Sequence, residues 1–146
     1  MKIHQISLFL ENQPGQLIEP CRVLSRAGID IRTLTLADTQ LFGILRLIVS
    51  DWKAGAEVLR EAGYVINLTE VVAVEVPDRP GGLDELLELL QGSRINIEYM
   101  YAFTFGRGDK AVLIFRFDEP DRALELLKGS DINVIDPVEV YNPIVK

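Results

Sequence analysis

Apolar and polar positions alternate with a period of two from Ile3 to Leu10. Ile6, Leu8 and Leu10 fall on one side, and Gln5, Ser7 and Phe9 on the other, which predicts a half-buried strand. From Leu17 to Ala27 the period becomes helical, with Leu17, Cys21 and Leu24 on one stripe. Pro20 is tolerable there because it falls in the first turn, where backbone N–H groups have no intrahelical acceptor. Gly28 ends that helix. Ile29 to Ala37 and Ile44 to Val49 are two further strand-like runs around a polar turn at 38–40, the pattern of an antiparallel hairpin. Asp51 then caps a second helix whose inner side carries Trp52, Leu59 and Ala62; Gly63 stops it, and Tyr64 to Leu68 supplies a fourth strand. The predicted order is βαββαβ.

The same order returns. Val71 to Val76 reads as a strand, and a helix follows with Leu83, Leu86, Leu87 and Leu90 at helical spacing. Ile95 to Phe105 and Lys110 to Phe117 flank a turn at Gly106-Arg107-Gly108-Asp109. Pro120 to Lys128 forms a helix stopped by Gly129, and Asn133 to Tyr141 a last strand, bent or ended near Pro137. The turn between first strand and first helix carries the repeat most plainly: Asn12-Gln13-Pro14-Gly15-Gln16-Leu17 reappears as Asp78-Arg79-Pro80-Gly81-Gly82-Leu83, 66 positions later. A period this long suits a duplicated small domain rather than a solenoid. The chain therefore divides at 1–68 and 69–146 into two α+β units of the ferredoxin-like, split βαβ kind, each an antiparallel sheet with helices on one face.

By strand alternation the opposite sheet face should carry Gln5, Ser7, Arg46, Glu75 and Arg116 and be solvated. A unit of about 60 residues buries only about 60% of its unfolded surface, which favours fusion and oligomerisation. Leu68 passes to Thr69 with no glycine, proline or serine linker, so a fixed side-by-side arrangement of the halves is expected.

Composition narrows the function classes. The net charge of −7 and pI near 4.7 give the wrong field for nucleic acid. The apolar stretches are interrupted by polar residues and the N-terminus has no signal-peptide pattern, so no membrane partner and a cytoplasmic location are expected. Cys21 is the single cysteine, which excludes an intrachain disulfide and a cysteine metal cluster; it reads as a small buried helix residue. His4, the single histidine, stands at a strand start and reads as a packing or surface residue. With no converging nucleophile and base, no catalytic residue, metal or cofactor is assigned. The Arg107-Gly108-Asp109 tripeptide is explained as hairpin chemistry.

The doubled turn suits a small zwitterion. The carboxylate of a free amino acid needs N–H donors, which the residues after Gly15 and Gly81 offer at a helix start assisted by its dipole. Its ammonium needs an acceptor, and Asn12 or Asp78 stands two residues before each proline. The same turn also has a purely conformational reading, in which Pro-Gly begins a helix and the Asx residue stabilises the bend.

These residues resemble the ACT domain family, ligand-sensing modules attached to many enzymes of amino-acid metabolism. The likeness rests on Glu11 to Leu17 with Gly28-Ile29-Asp30-Ile31, and on Pro77 to Leu83 with Arg94-Ile95-Asn96-Ile97. Arg94 stands where the first half has glycine, and Leu10 and Val76 occupy a strand-end position that is polar in some binders. The resemblance implies ligand contacts from Asn12, Gln13, Pro14, Gly15, Gln16, Leu17 and Asp30 in one half. In the other it implies Asp78, Arg79, Gly81, Gly82, Leu83 and Asn96. It also implies edge-to-edge pairing of units, a homodimer, and regulation of an enzyme of amino-acid metabolism by a free-standing tandem ACT protein. The competing readings are a non-binding module that bridges a partner enzyme, and an acylphosphatase-like enzyme with Arg79 as its phosphate-binding arginine.

Overall fold

A computed structural model describes residues 1–104 and 106–142. Its elements run β1 (Ile3–Glu11), α1 (Ile18–Arg26), β2 (Ile31–Asp38), β3 (Phe42–Val49), α2 (Trp52–Glu61), β4 (Ile66–Pro77), α3 (Gly82–Leu90), β5 (Ile97–Ala102), β6 (Lys110–Phe117), α4 (Pro120–Lys128) and α5 (Pro137–Tyr141). Two compact units result: His4–Thr69, and Met1–Ile3 together with Glu70–Lys146. The strands expected at the end of the first half and the start of the second are one continuous strand, β4. Lys2 belongs with the second unit through ion pairs to Asp121 at 3.0 Å and Glu70 at 3.1 Å, and the Asp121 hydrogen bond leads in raising its ammonium pKa above the ordinary value.

In the N-terminal unit the strands lie in the order β2-β3-β1, followed by β4. Antiparallel registers place Leu8 opposite Leu45 and Leu36 opposite Leu45, so the even-numbered positions of β1 and β2 share a face. That face packs on the helices: Ile6, Leu8, Leu10, Leu45, Leu47 and Val49 close against Leu24, Ala56 and Leu59. Asp51 caps α2 by accepting from the Ala54 N–H at 3.1 Å. His4 stacks on Trp52 with ring centroids 4.0 Å apart, a packing role.

In the C-terminal unit the order is β4-β6-β5. Val72, Val74, Val76, Phe115 and Phe117 pack against Leu86, Leu90, Ala123 and Leu127. The expected last strand is corrected: residues 133–135 only bridge to β4, with Glu75 N–H donating to the Asn133 carbonyl and Ile135 N–H to the Ala73 carbonyl, and the chain then turns into α5. The cause is local. Asp136 accepts from the Val138 N–H at 2.9 Å, and Pro137 takes the first helical position, where its missing donor costs nothing. The strand expected over 95–105 is β5, Ile97–Ala102; Phe105 lies outside the described residues.

Burial corrects five further expectations. Gln5 is 0% exposed and donates to Ser7, while Ser7, Arg46, Glu75 and Arg116 are half-buried, so these residues do not form a solvated face. Ala62 and Leu87 are exposed; Gly55, Ala56 and Leu59 form the inner side of α2, and Leu86 and Leu90 that of α3. Leu17 is exposed rather than part of the α1 stripe, and Cys21 is half-buried.

The duplication reaches into the backbone. A register shift between Ile31 and Thr33 in β2 recurs between Ile97 and Tyr99 in β5, 66 positions on. Gly28 (φ 71°) ends α1 in the left-handed region, and Arg94, its counterpart, holds φ 64°. A side chain in that region costs energy that glycine escapes. Arg94→Gly is therefore expected to raise stability by about 0.5–1 kcal/mol after the entropy glycine adds to the unfolded chain. Urea unfolding checks this; a lower midpoint at unchanged slope would contradict it.

Candidate functional site

Each first strand runs into its helix through a glycine in the left-handed region, Gly15 at φ 85° and Gly81 at φ 84°. Only such a residue turns the chain this sharply without a Cβ penalty. In the second turn Gly82 follows, lying so close beneath the Pro77 carbonyl oxygen that any Cβ would collide with it. Gln16, its counterpart, is half-buried.

The helices that follow start without a side-chain cap. Neither Leu17 at the head of α1 nor Gly81 at the head of α3 offers a side-chain cap, whereas Asp51 and Asp136 cap α2 and α5; the Gly82 N–H is taken by the Arg79 carbonyl at 3.0 Å and the Glu85 N–H by the Gly81 carbonyl at 3.3 Å. Helix α4 is also uncapped at Glu119, and Pro120 removes one of its donors as Pro20 does in the first turn of α1. Uncapped first-turn N–H groups are open to an external acceptor.

The two turns are anchored differently. Asn12 N–H donates to the Leu41 carbonyl at 2.9 Å, and Nδ2 donates to the Gln40 carbonyl at 3.0 Å, tying the turn to the β2–β3 hairpin and leaving Oδ1 as acceptor. Asp78 keeps only the backbone part, its N–H donating to the Asp109 carbonyl at 2.9 Å. Its exposed carboxylate has no hydrogen-bond or ion-pair partner among the described residues. Gln13 N–H donates to Glu11, and Pro14 is exposed. Arg79 reaches Glu85 at 2.6 Å instead of standing free to hold a phosphate.

Asp30 and Asn96, at the second-strand positions, are held alike. The Asp30 N–H donates to Ser50 Oγ and the Asp30 carbonyl accepts from the Ser50 N–H; the Asn96 N–H donates to Asp118 Oδ1 and the Asn96 carbonyl accepts from the Asp118 N–H. Their side chains differ. Asp30 is paired to Arg32 at 2.6 Å, whereas Asn96 lines a groove of about 580 Å³. Asp84, Leu87, Glu88, Leu90, Gln91, Ile95 and Ile97 form the rest of that groove; Asp78, Arg79, Gly81, Gly82 and Leu83 do not line it. A second groove, of about 370 Å³, lies along α2 from Trp52 to Glu61 with Leu68, away from the first turn. The sequence did not point to either α-helical wall. The exposed Leu87 within a leucine-rich stripe was the available signal. Among the described residues no group of three or more His, Cys, Asp or Glu is placed to hold a metal ion, and no helix is long and apolar enough to cross a membrane.

A family model described as an ACT domain pair matches residues 1–142. The chain belongs to the ACT domain family. ACT pairs are typical of amino-acid-sensing regulatory modules. Protein BT0572 from Bacteroides thetaiotaomicron is similar at 34% identity over 97% of both chains, with a TM-score of 0.90. The regulatory subunits of aspartate kinase from Thermus thermophilus (18% identity, 86% of this chain and 91% of that one, TM-score 0.61) and Thermus flavus (16%, 88% and 90%, 0.62) share the fold. No curated protein matches the ACT pair in sequence.

The unequal anchoring of the turns has a direct test. Asn12→Ala removes a bridge spanning 28 residues and is expected to cost about 0.5–1 kcal/mol. Asp78→Ala is expected to stay within about 0.5 kcal/mol of the parent. Chemical denaturation of both variants measures the difference, and equal losses would contradict the assigned role of the Asn12 amide.

Proposed function

We propose that this ACT pair is a cytoplasmic regulatory sensor without catalysis of its own, which binds a free amino acid at the β1–α1 turns. It acts as a homodimer on an enzyme of amino-acid metabolism. The observation that carries this reading is the doubled, uncapped helix start behind a left-handed glycine, at Leu17 and at Gly81. A carboxylate placed there meets the first-turn N–H groups left after Gly82 donates to the Arg79 carbonyl and Pro20 supplies none, at the positive end of the helix dipole.

The halves differ in what they offer the ammonium. In the N-terminal unit Asn12 Oδ1 is the acceptor, while Asp30 is engaged by Arg32. In the C-terminal unit the Asp78 carboxylate has no ion-pair or hydrogen-bond partner among the described residues, and Asn96 lines a groove of about 580 Å³. The first turn of α3 carries Asp84, which weakens its hold on an anion, beside Glu85 drawn toward Arg79 at 2.6 Å, whereas the first turn of α1 carries only Glu19, drawn toward Arg22 at 3.1 Å. Two sites of unequal affinity follow, each completed at its open side by a neighbouring unit. Binding regulates only insofar as the ligand prefers one assembly or partner-bound state over another.

Thermal unfolding with each of the twenty amino acids tests the reading. One at 100 times its dissociation constant is expected to stabilise by about 2.7 kcal/mol. Asp78→Ala and Asn96→Ala should each reduce that stabilisation without changing the melting temperature of the free protein. No shift with any amino acid would favour a non-binding module that bridges a partner.

A further inference from the structure

The turn between β5 and β6 joins two parts of the C-terminal unit that lie far apart in sequence. Its own bonds are reciprocal: the Arg107 N–H donates to the Lys110 carbonyl at 2.9 Å, and the Lys110 N–H to the Arg107 carbonyl at 3.0 Å. On one side the Asp109 carbonyl accepts from the Asp78 N–H at 2.9 Å, at the start of the second glycine turn. On the other, Arg107 forks onto both carboxylate oxygens of Glu139 in α5, at 3.2 and 3.4 Å, and reaches Glu75 of β4 at 3.2 Å. One short hairpin thus holds both the candidate ligand turn and the last helix.

The repeat assigns this connection to one half alone. Ile132-Asn133-Val134 follows Ile66-Asn67-Leu68 by 66 positions, but where the first copy continues along β4, the second leaves the sheet and forms α5. Leu41 stands at the position of Arg107 and Phe9 at that of Glu75, so neither the cation nor the carboxylate has a counterpart in the first unit. The two legs of the Arg107 fork are unequal. The Glu75 side chain is 14% exposed, and a carboxylate so covered is costly to leave unpaired. Glu139 is 51% exposed, so its leg contributes little. A helix of five residues does not hold its shape by itself. Arg107 therefore stays on Glu75 as a pivot, while α5 opens at low cost and uncovers Val140, which is buried when the helix is docked.

We propose that α5 is a strap set by occupancy of the second glycine turn: an amino acid bound at Asp78 orders the β5–β6 hairpin through the Asp109 carbonyl and holds α5 docked through Arg107. The inference rests on the sensor reading and adds to it the element that responds. By reciprocity, a docked α5 tightens the same site by an equal factor. That factor is bounded by the exposed pair that carries it, and so amounts to about two- to fivefold. The Asn12 turn, without such a link, binds independently of any strap.

Amide hydrogen exchange, followed by NMR on the full 15N-labelled chain, tests it. Without ligand, Arg107→Gln is expected to speed exchange about two- to fivefold at both Asn142 and Asp78, and to leave Asn12 unchanged. Adding the amino acid that shifts resonances at 78–84 is expected to slow exchange at Asn142 in the parent but not in Glu139→Gln, which keeps Arg107 on Glu75. Arg107→Gln is also expected to raise the dissociation constant at the Asp78 turn by about two- to fivefold and to leave that at the Asn12 turn as it was. Faster exchange at Asn142 with none at Asp78, slowing that persists in Glu139→Gln, or ligand shifts at 78–84 with Asn142 unaltered would remove the strap and leave the sensor reading standing. If no amino acid moves 78–84, both fall. Circular dichroism verifies that each variant is folded.

Discussion

The structure depends on reversing the chain from strand to helix within a few residues, twice, at an angle only a left-handed residue allows. Gly15 and Gly81 provide it with nearly equal φ values of 85° and 84°. Because the bend is made by the backbone, no side chain is spent on capping the helix that follows. The same bend starts α1 and α3 without a side-chain cap on either. In the second turn the approach of Gly82 to the Pro77 carbonyl tightens this further, at a position where the first turn accommodates the side chain of Gln16.

Around this bend the two halves have kept backbone and changed side chains. The displaced register in β2 and β5 and the left-handed backbone at the paired positions 28 and 94 recur in both copies, even where arginine stands in place of glycine. The reciprocal backbone bonds at Asp30 and Asn96 also recur, although their partners are Ser50 in one case and Asp118 in the other. Charge differs instead: Asp78 stands at the position of Asn12, and Glu88 at that of Arg22. A duplicated scaffold with unequal electrostatics can hold two unlike ligand sites on one fold.

Most of this scaffold is legible in the sequence because period and punctuation agree. Pro120 to Lys128, ended by Gly129, is found with the same bounds in α4, and the Asp51 cap is where its spacing puts it. The last strand misled because Pro137 was read as a strand break, although Asp before Pro with Glu two positions on is a helix-start pattern. Gln5 misled for a different reason: alternation assigns a side chain to a face but says nothing of what lies over that face. Of the candidate site, the turns show in the repeat, whereas the engagement of Asn12 with Gln40 and the groove beside Asn96 arise from residues distant in sequence.

The central claim is that the uncapped helix starts receive a small carboxylate. Amide chemical shifts of uniformly 15N-labelled protein, followed while a stabilising amino acid is titrated in, test it most directly. Saturable shifts concentrated at residues 12–19 and 78–84, with extension to Asp30 or Asn96, are the result expected. Shifts confined to the groove along α2, or none at any concentration, would contradict it.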